Sequence, residues 1–453
     1  MHMTEEEIVK DIENNRETYI EFFRNVLKAK SYNPPGDELN VAKIIDGFLK
    51  QFNIKSEIYP FGENRANLVA SLNNTNNKVL LYNGHMDVVP PGDESDWSNP
   101  PLDATIKRKK YIHGRGTTDM KGGLVAMTIA LKILKSLEDD LSGNLIVNAV
   151  ADEETGGTLG TKWCLENVLK SVKPDFTIIG EASGLNPLPK AILLGEKGHL
   201  YVKIITNGIS CHASMPSLGK NAIEMMSEVI IKLNKLDKYI PPAHPPIPIE
   251  KLKGLVAEVF ANREIFERIL IEQPTLNSVI QSLVNFSYSV TMIKAGIKEN
   301  VVPDRCEATL DVRLLPGQEV SSIIDGLRML IQKETEYNVK DQLVDKNDEI
   351  YVYIEPLDAS EGSYWKEWKE SDVLKSLYDI IEKTYNKKPF YLLLPASADA
   401  HYIRNSGFCP QTVIYGPGRG EKAHAADEYI EIEDFINSIK VYSLFAYKFL
   451  KKK

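Results

Sequence analysis

The chain reads as an α/β protein in which a mainly parallel sheet with flanking helices is interrupted by an inserted α+β unit. Three observations predict this. Strand-length apolar runs alternate with helix-length amphipathic stretches over residues 1–190. From about 191 to 360 the pattern changes to period-2 alternation with two helices, and after 361 the first style returns. Alternating strands and helices imply a parallel sheet covered on its faces, so 1–190 and 361–453 are expected to build one domain and 191–360 a second. A length of 453 residues carries two or three domains at roughly 100–200 residues each.

The elements follow in order. Ile8, Ile12, Tyr19, Phe22, Phe23, Val26 and Leu27 recur at helical spacing over about 5–29, and NPPGDE (33–38) stops that helix. A second amphipathic helix runs from Leu39 to Leu49. NLVASL (67–72) and KVLLYNG (78–84) are strands, 124–137 a helix, 144–151 a buried strand, 158–170 a helix and 175–180 a strand. In the inserted unit, AILLGEKGHLYVKIITNG (191–208) alternates, and a helix spans about 221–236. The Pro-rich PPAHPPIPIEK (241–251) opens an irregular insert reaching about 285. Strands at 286–296, 308–317 and 350–357, with a helix over 321–336, complete this unit. A helix at 372–385, a strand, a loop and a final helix close the chain.

Composition narrows the function. Lys and Arg number 54 against 63 Asp and Glu, a net charge of −9, which disfavours a phosphate-backbone partner. No stretch approaches the roughly 18 apolar residues that span a bilayer. The opening residues lack the basic-then-apolar pattern of a secretion signal. The four cysteines stand far apart without a CxxC pair, so neither a disulfide framework nor a thiolate metal site is expected. Together these read as a cytoplasmic protein with no nucleic-acid or membrane partner.

Ionisable residues gather at the strand ends of the α/β part. His85 and Asp87 lie two apart, on one face of a strand end, where a carboxylate can orient an imidazole. HGRGTTDMKGG (113–123) is a glycine-rich loop before a helix, but it lacks the spacing of a phosphate loop, and its Asp119 suits a cation better. Glu153 and Glu154 adjoin after a buried strand, where they repel unless a cation compensates. Glu181 follows the next strand, and His424 lies in a Gly- and Ala-rich loop before the last helix. Taken alone, the 151–157 segment reads as readily as a solvated acidic turn, the His85/Asp87 segment more readily as a polar turn, and His424 more readily as a structural residue. Combined, two imidazoles and three carboxylates suit a pair of Zn²⁺, Co²⁺ or Mn²⁺ ions with one bridging carboxylate.

From SYNPPGDE (31–38) to AHAADEY (423–429) the chain resembles the M20 family of zinc metallohydrolases, which includes acetylornithine deacetylase, succinyl-diaminopimelate desuccinylase, aminoacylase and carnosine dipeptidase. The resemblance implies two zinc ions per subunit. His85 and Glu181 would hold one, Glu154 and His424 the other, and Asp119 both. It makes Glu153 the general base and Asp87 the residue that orients His85, and it implies a cis peptide at Asp119–Met120. The inserted unit would be a lid that also mediates a homodimer. GISCHASMP (208–216) resembles the segment that lends a histidine, here His212, to the partner's site. NVVPDRCEATLDVRLLPG (300–317) resembles the substrate clamp, with Asn300 and Arg313 at the matching positions. The implied reaction is hydrolysis of the amide of an N-acyl amino acid, with a dipeptidase or metallocarboxypeptidase as the alternative. Two departures bear on substrate: the turn PASADA (395–400) stands where many of these deacylases have Gly-Gly-Thr or Gly-Gly-Ser, and the insert at about 237–285 is long.

Overall fold

A computed structural model describes residues 4–72, 78–185, 188–260, 263–344 and 349–452. Its larger sheet has ten strands. Asn144–Val150, Val79–His85, Phe176–Ile179 and Thr412–Ile414 lie side by side in its centre and run parallel. Both flanks are antiparallel. Lys55–Phe61 pairs with Arg65–Ser71, which pairs with Asn144–Val150, and Leu188–Glu196 pairs antiparallel with Thr412–Ile414. The sheet is therefore mixed, which corrects the mainly parallel expectation. For the first pair the reason lies in the connection: the turn at 62–64 is too short for a crossover, and a parallel pair needs a dozen or more residues.

Helix Lys121–Lys135 is apolar nearly all round and buried on almost every side between the sheet and helix Ile432–Leu450. The opening helix breaks at Asn15 into Glu5–Asn14 and Arg16–Lys28. Thr4 and Glu7 cap the first reciprocally, and Phe23 of the second stacks on Phe435 with ring centroids 4.5 Å apart. Residues 158–170 are only partly α-helical: a wide turn, Thr158–Lys162, precedes Trp163–Asn167.

The second sheet has five strands in the order Ser287–Ala295, Arg305–Leu314, Gly198–Asn207, Tyr351–Ser360, Val339–Lys340. Alternate residues Leu200, Val202 and Ile204 and Ala308, Leu310 and Val312 turn inward under helices Ala222–Lys232 and Val320–Glu334. Two features differ from expectation. Leu188–Glu196 belongs to the larger sheet, so the chain passes to the second unit at Lys197 rather than at 190; Asn186 and Pro187, at the expected boundary, lie outside the described residues. The insert is largely helical (Ile249–Ala257, Arg263–Glu272, Pro274–Val284), and its Leu252, Val256, Phe266, Ile280 and Leu283 share the core of the larger sheet. Its apolar residues find their complement there because the second sheet's inner face is already covered.

Candidate metal centre and catalytic cleft

His85 closes the buried strand Val79–His85. Its Nδ1 lies 2.8 Å from the carbonyl oxygen of Asp87 and 3.5 Å from that residue's carboxylate, which leaves Nε2 facing the centre. Asp87 is buried and accepts from Asn33 Nδ2 at 2.8 Å and from the backbone N–H groups of Glu153 at 3.3 Å and Glu154 at 3.2 Å. One carboxylate thus positions an imidazole and the paired glutamates together.

Asp119 ends a loop organised by Glu428. That carboxylate, fully buried, accepts from the N–H groups of Gly116 (3.1 Å), Thr118 (2.7 Å) and Asp119 (3.2 Å), and it pairs with Arg115 at 2.8 Å. The Asp119–Met120 peptide is cis. The helix that follows approaches the strand end carrying Glu181 so closely that a Cβ on Gly123 would stand 1.9 Å from the carbonyl oxygen of Gly180.

Five side chains converge in two groups that share Asp119. His85 Nε2 is 3.1 Å from Asp119 Oδ1 and 3.1 Å from Glu181 Oε1. His424 Nε2 is 3.1 Å from Asp119 Oδ2 and 3.1 Å from Glu154 Oε2. Glu153 stands apart from both groups, with its Oε2 3.8 Å from His85 Nε2.

The electrostatics show what the arrangement lacks. Burial, then the charge of Asp119, pushes Glu154 up to about 7, and burial raises Glu181 as well. Burial drives Glu153 well above the carboxylate range, and Glu181 and Glu154 add to the rise. His85 is held well above its ordinary value: burial opposes its charge, but Glu181, Asp119 and Asp87 outweigh it. Hydrogen bonds to Asp119 and Glu154 raise His424 to about 10. This many carboxylates in one buried place are costly without compensating positive charge. Nitrogen and oxygen donors in two groups around a shared carboxylate fit a pair of divalent cations.

The cluster opens into a cleft of about 650 Å³ between the two sheets. Arg313 lines it, with its guanidinium paired to Asp311 and 3.3 Å from the Tyr201 hydroxyl. His212 and Asn300 do not line it. They lie together and exposed on the second unit, where strand Cys211–His212 pairs with Val301–Val302 and the Ala213 N–H donates to the Asn300 carbonyl at 3.0 Å.

Several lining residues were not singled out as site residues by the sequence. His199 bridges Asp358 (2.9 Å from Nε2) and Ser360 (2.9 Å from Nδ1), and Ser360 meets Ser397 of the PASADA turn at 2.8 Å. Asp399, in that turn, is pushed up to about 7 by burial and accepts from Thr161 Oγ1 at 2.7 Å. His401 also lines the cleft, and burial lowers it to about 4, so it is neutral there. The period-2 pattern could have placed His199 and Tyr201 on one outward face.

Fold and site together define a mixed α/β hydrolase with a paired acid–imidazole centre. The model of the peptidase family M20/M25/M40 matches residues 81–448, and the chain belongs to that family, whose members hydrolyse amide or peptide bonds. A probable succinyl-diaminopimelate desuccinylase of Staphylococcus aureus is 27% identical over 440 residues, covering 96% of this chain and 98% of that protein. Among solved structures, an M20 family metallo-carboxypeptidase from Sulfolobus solfataricus superposes with a TM-score of 0.73 at 22% identity, covering 95% of this chain and 97% of that one. A di-peptidase from Saccharomyces cerevisiae gives 0.75 at 16% identity, covering 98% of each.

Proposed function

We propose that this chain hydrolyses the amide bond of an N-acyl amino acid, with His85, Asp119 and Glu181 holding one divalent cation, Asp119, Glu154 and His424 a second, and Glu153 acting as general base. The observation that carries the reading is the pair of groups sharing Asp119 with Glu153 left outside both. Zinc suits the donors, as do Co²⁺ and Mn²⁺. When bound, the ions supply an acidified water and an electrophile for the carbonyl oxygen.

The chain's own residues do the rest. Glu153 accepts the proton of the attacking water and hands it to the departing amine nitrogen, a role open to a carboxylate that stands outside both groups. Asp87 holds the His85 ring and the 153–154 backbone in one orientation. Arg313 offers a planar fork to the substrate carboxylate. His212 and Asn300, remote from their own cleft, fit a contribution to the cleft of a second copy. The exposed edge strand Ser287–Ala295, with Met292 68% and Ile293 59% accessible, supports a homodimer through this unit, and the unit's place across the cleft suits a lid. Among the described residues no helix is long and apolar enough to cross a membrane, and four free cysteines suit a reducing, cytoplasmic setting.

A dipeptidase or metallocarboxypeptidase is the second reading. It is favoured by the turn 395–400, where Pro395, which has no N–H to donate, lines the cleft. The test is amine release by the zinc-loaded protein from N-acetyl- and N-succinyl-amino acids and from dipeptides, beside a chelated control. Chelator-sensitive turnover of the acyl amino acids supports the deacylase. Turnover confined to dipeptides replaces it with the peptidase.

A further inference from the structure

Away from the charged cluster, the cleft is aliphatic, and the insert supplies part of that wall. Strands Leu188–Glu196 and Phe390–Leu394 run parallel with Leu193 opposite Leu392. Ala191 and Leu193 stand two apart and so face one side, and they line the cleft together with Leu392 and Leu394. Helix Pro274–Val284 adds Val279 and Leu283, four apart and therefore on one helical face. This helix is held in place. Lys197, buried at the passage between the two sheets, donates from Nζ to the carbonyl oxygens of Ser282 at 3.0 Å and Asn285 at 2.7 Å, satisfying acceptors at the helix end.

The charges of the lining point the same way. Among the described lining residues Arg313 is the one lysine or arginine, and Asp311 already pairs with it at 2.7 Å. A substrate with several carboxylates finds a cation for one of them and meets Asp358, Asp399 and Glu421 with the others. An aliphatic group instead gains by leaving water against these leucines and Val279.

We propose that the cleft selects amides bearing an aliphatic group of several carbons beside the scissile bond, seated against Leu193, Leu392, Val279 and Leu283, in place of a polyanionic acyl group. This rests on the amide-hydrolase reading above. Water adds across the C–N bond, giving a carboxylate and an amine, and the aliphatic group leaves on one of the two products.

Two substrate series decide which product carries it. One lengthens the acyl chain (acetyl-, butyryl-, hexanoyl-, octanoylglycine), and the other enlarges the amino acid (N-acetyl-glycine, -alanine, -leucine), each beside N-succinylglycine and with the zinc-loaded protein. The expected result is that kcat/KM rises about fourfold per buried methylene in one series until the wall is covered, and that Val279→Asp lowers the hexanoyl-to-acetyl or leucine-to-glycine ratio at least tenfold. Flat or falling series, or a preference for the succinyl substrate, overturn the proposal. So does an unchanged ratio in a folded Val279→Asp protein; should that variant fail to fold, Val279→Thr, nearly equal in volume, takes its place with a smaller fall. Calorimetric binding of hexanoate against succinate to metal-free protein separates this proposal from the hydrolase reading. With no chelator-sensitive turnover of any substrate, that reading fails. Tighter hexanoate binding that Val279→Asp weakens still upholds the aliphatic site, and equal affinities refute it.

Discussion

Replacing Glu153 with glutamine keeps the size and hydrogen-bonding outline of the side chain and removes its ability to take a proton. The Glu153 carboxylate stands 3.8 Å from His85 Nε2 and belongs to neither group around Asp119. The substitution should therefore leave the capacity for two divalent ions intact. In the metal-free protein, burial and the neighbouring Glu181 and Glu154 already favour the uncharged carboxyl, so the neutral amide removes no stabilising charge and the melting temperature should barely move. The loss is kinetic. A positioned general base contributes about 10²–10⁴-fold, or ~3–5 kcal/mol of barrier, so kcat should fall by that factor with metal content unchanged. The assay pairs amine release with metal analysis of the same sample. Turnover within about tenfold of wild type in a fully loaded variant would refute the assignment, because among the described residues no other carboxylate outside the metal groups stands this close to His85 Nε2.

Three further outcomes follow from the geometry. Gly123→Ala places a methyl carbon 1.9 Å from the Gly180 carbonyl oxygen, with backbone on both sides. It should cost at least ~1–3 kcal/mol and weaken metal retention through the displaced Glu181; an unchanged melting temperature and metal content would show that the helix yields freely. Glu196 is fully buried, its Oε2 has no hydrogen-bond partner among the described residues, and burial raises it to about 8 against the pull of Arg404. The folded state then binds a proton that the unfolded state releases near 4.5. Stability from this group is complete below pH 4.5 and is lost as pH rises to 8. Glu196→Gln should flatten that part of the stability–pH profile, and parallel wild-type and variant profiles would contradict it. Met292→Asp, on the exposed edge strand, should shift sedimentation from dimer to monomer, and a variant that remains dimeric would place the subunit contact elsewhere.

Much of the site is legible in the sequence because its residues carry a local signature. His85, Asp119, Glu154, Glu181 and His424 are ionisable groups in turns that follow buried strands or precede helices, and apolar periodicity locates those turns without any structure. Glu428 left no such trace. Four of its contacts are to backbone N–H groups and a hydroxyl of residues 116–119, some three hundred positions earlier, and any residue but proline supplies a backbone N–H. His199 was passed over because its partners, Asp358 and Ser360, come from a strand that pairs with its own only in the folded sheet.

The fold shows the same division. Strand and helix positions followed from local patterning, while the antiparallel pairing at one flank depended on how few residues join Phe61 to Arg65. The insert misled for a different reason. Its prolines at 241–248 suggested irregular chain, yet Leu252 and Val256, and Ile280 and Leu283, stand at spacings that share a helical face, and the surface that accepts them belongs to the other sheet. Composition reveals that a segment has an apolar face, not which surface will cover it.

The most direct test of the paired centre is a zinc titration of the metal-free protein, following bound metal and amine release together. The account predicts that turnover appears with metal, levels off at about two equivalents per chain as a shared-carboxylate pair requires, and disappears on chelation. Saturation at a single equivalent, or turnover that survives in the chelated protein, would contradict it.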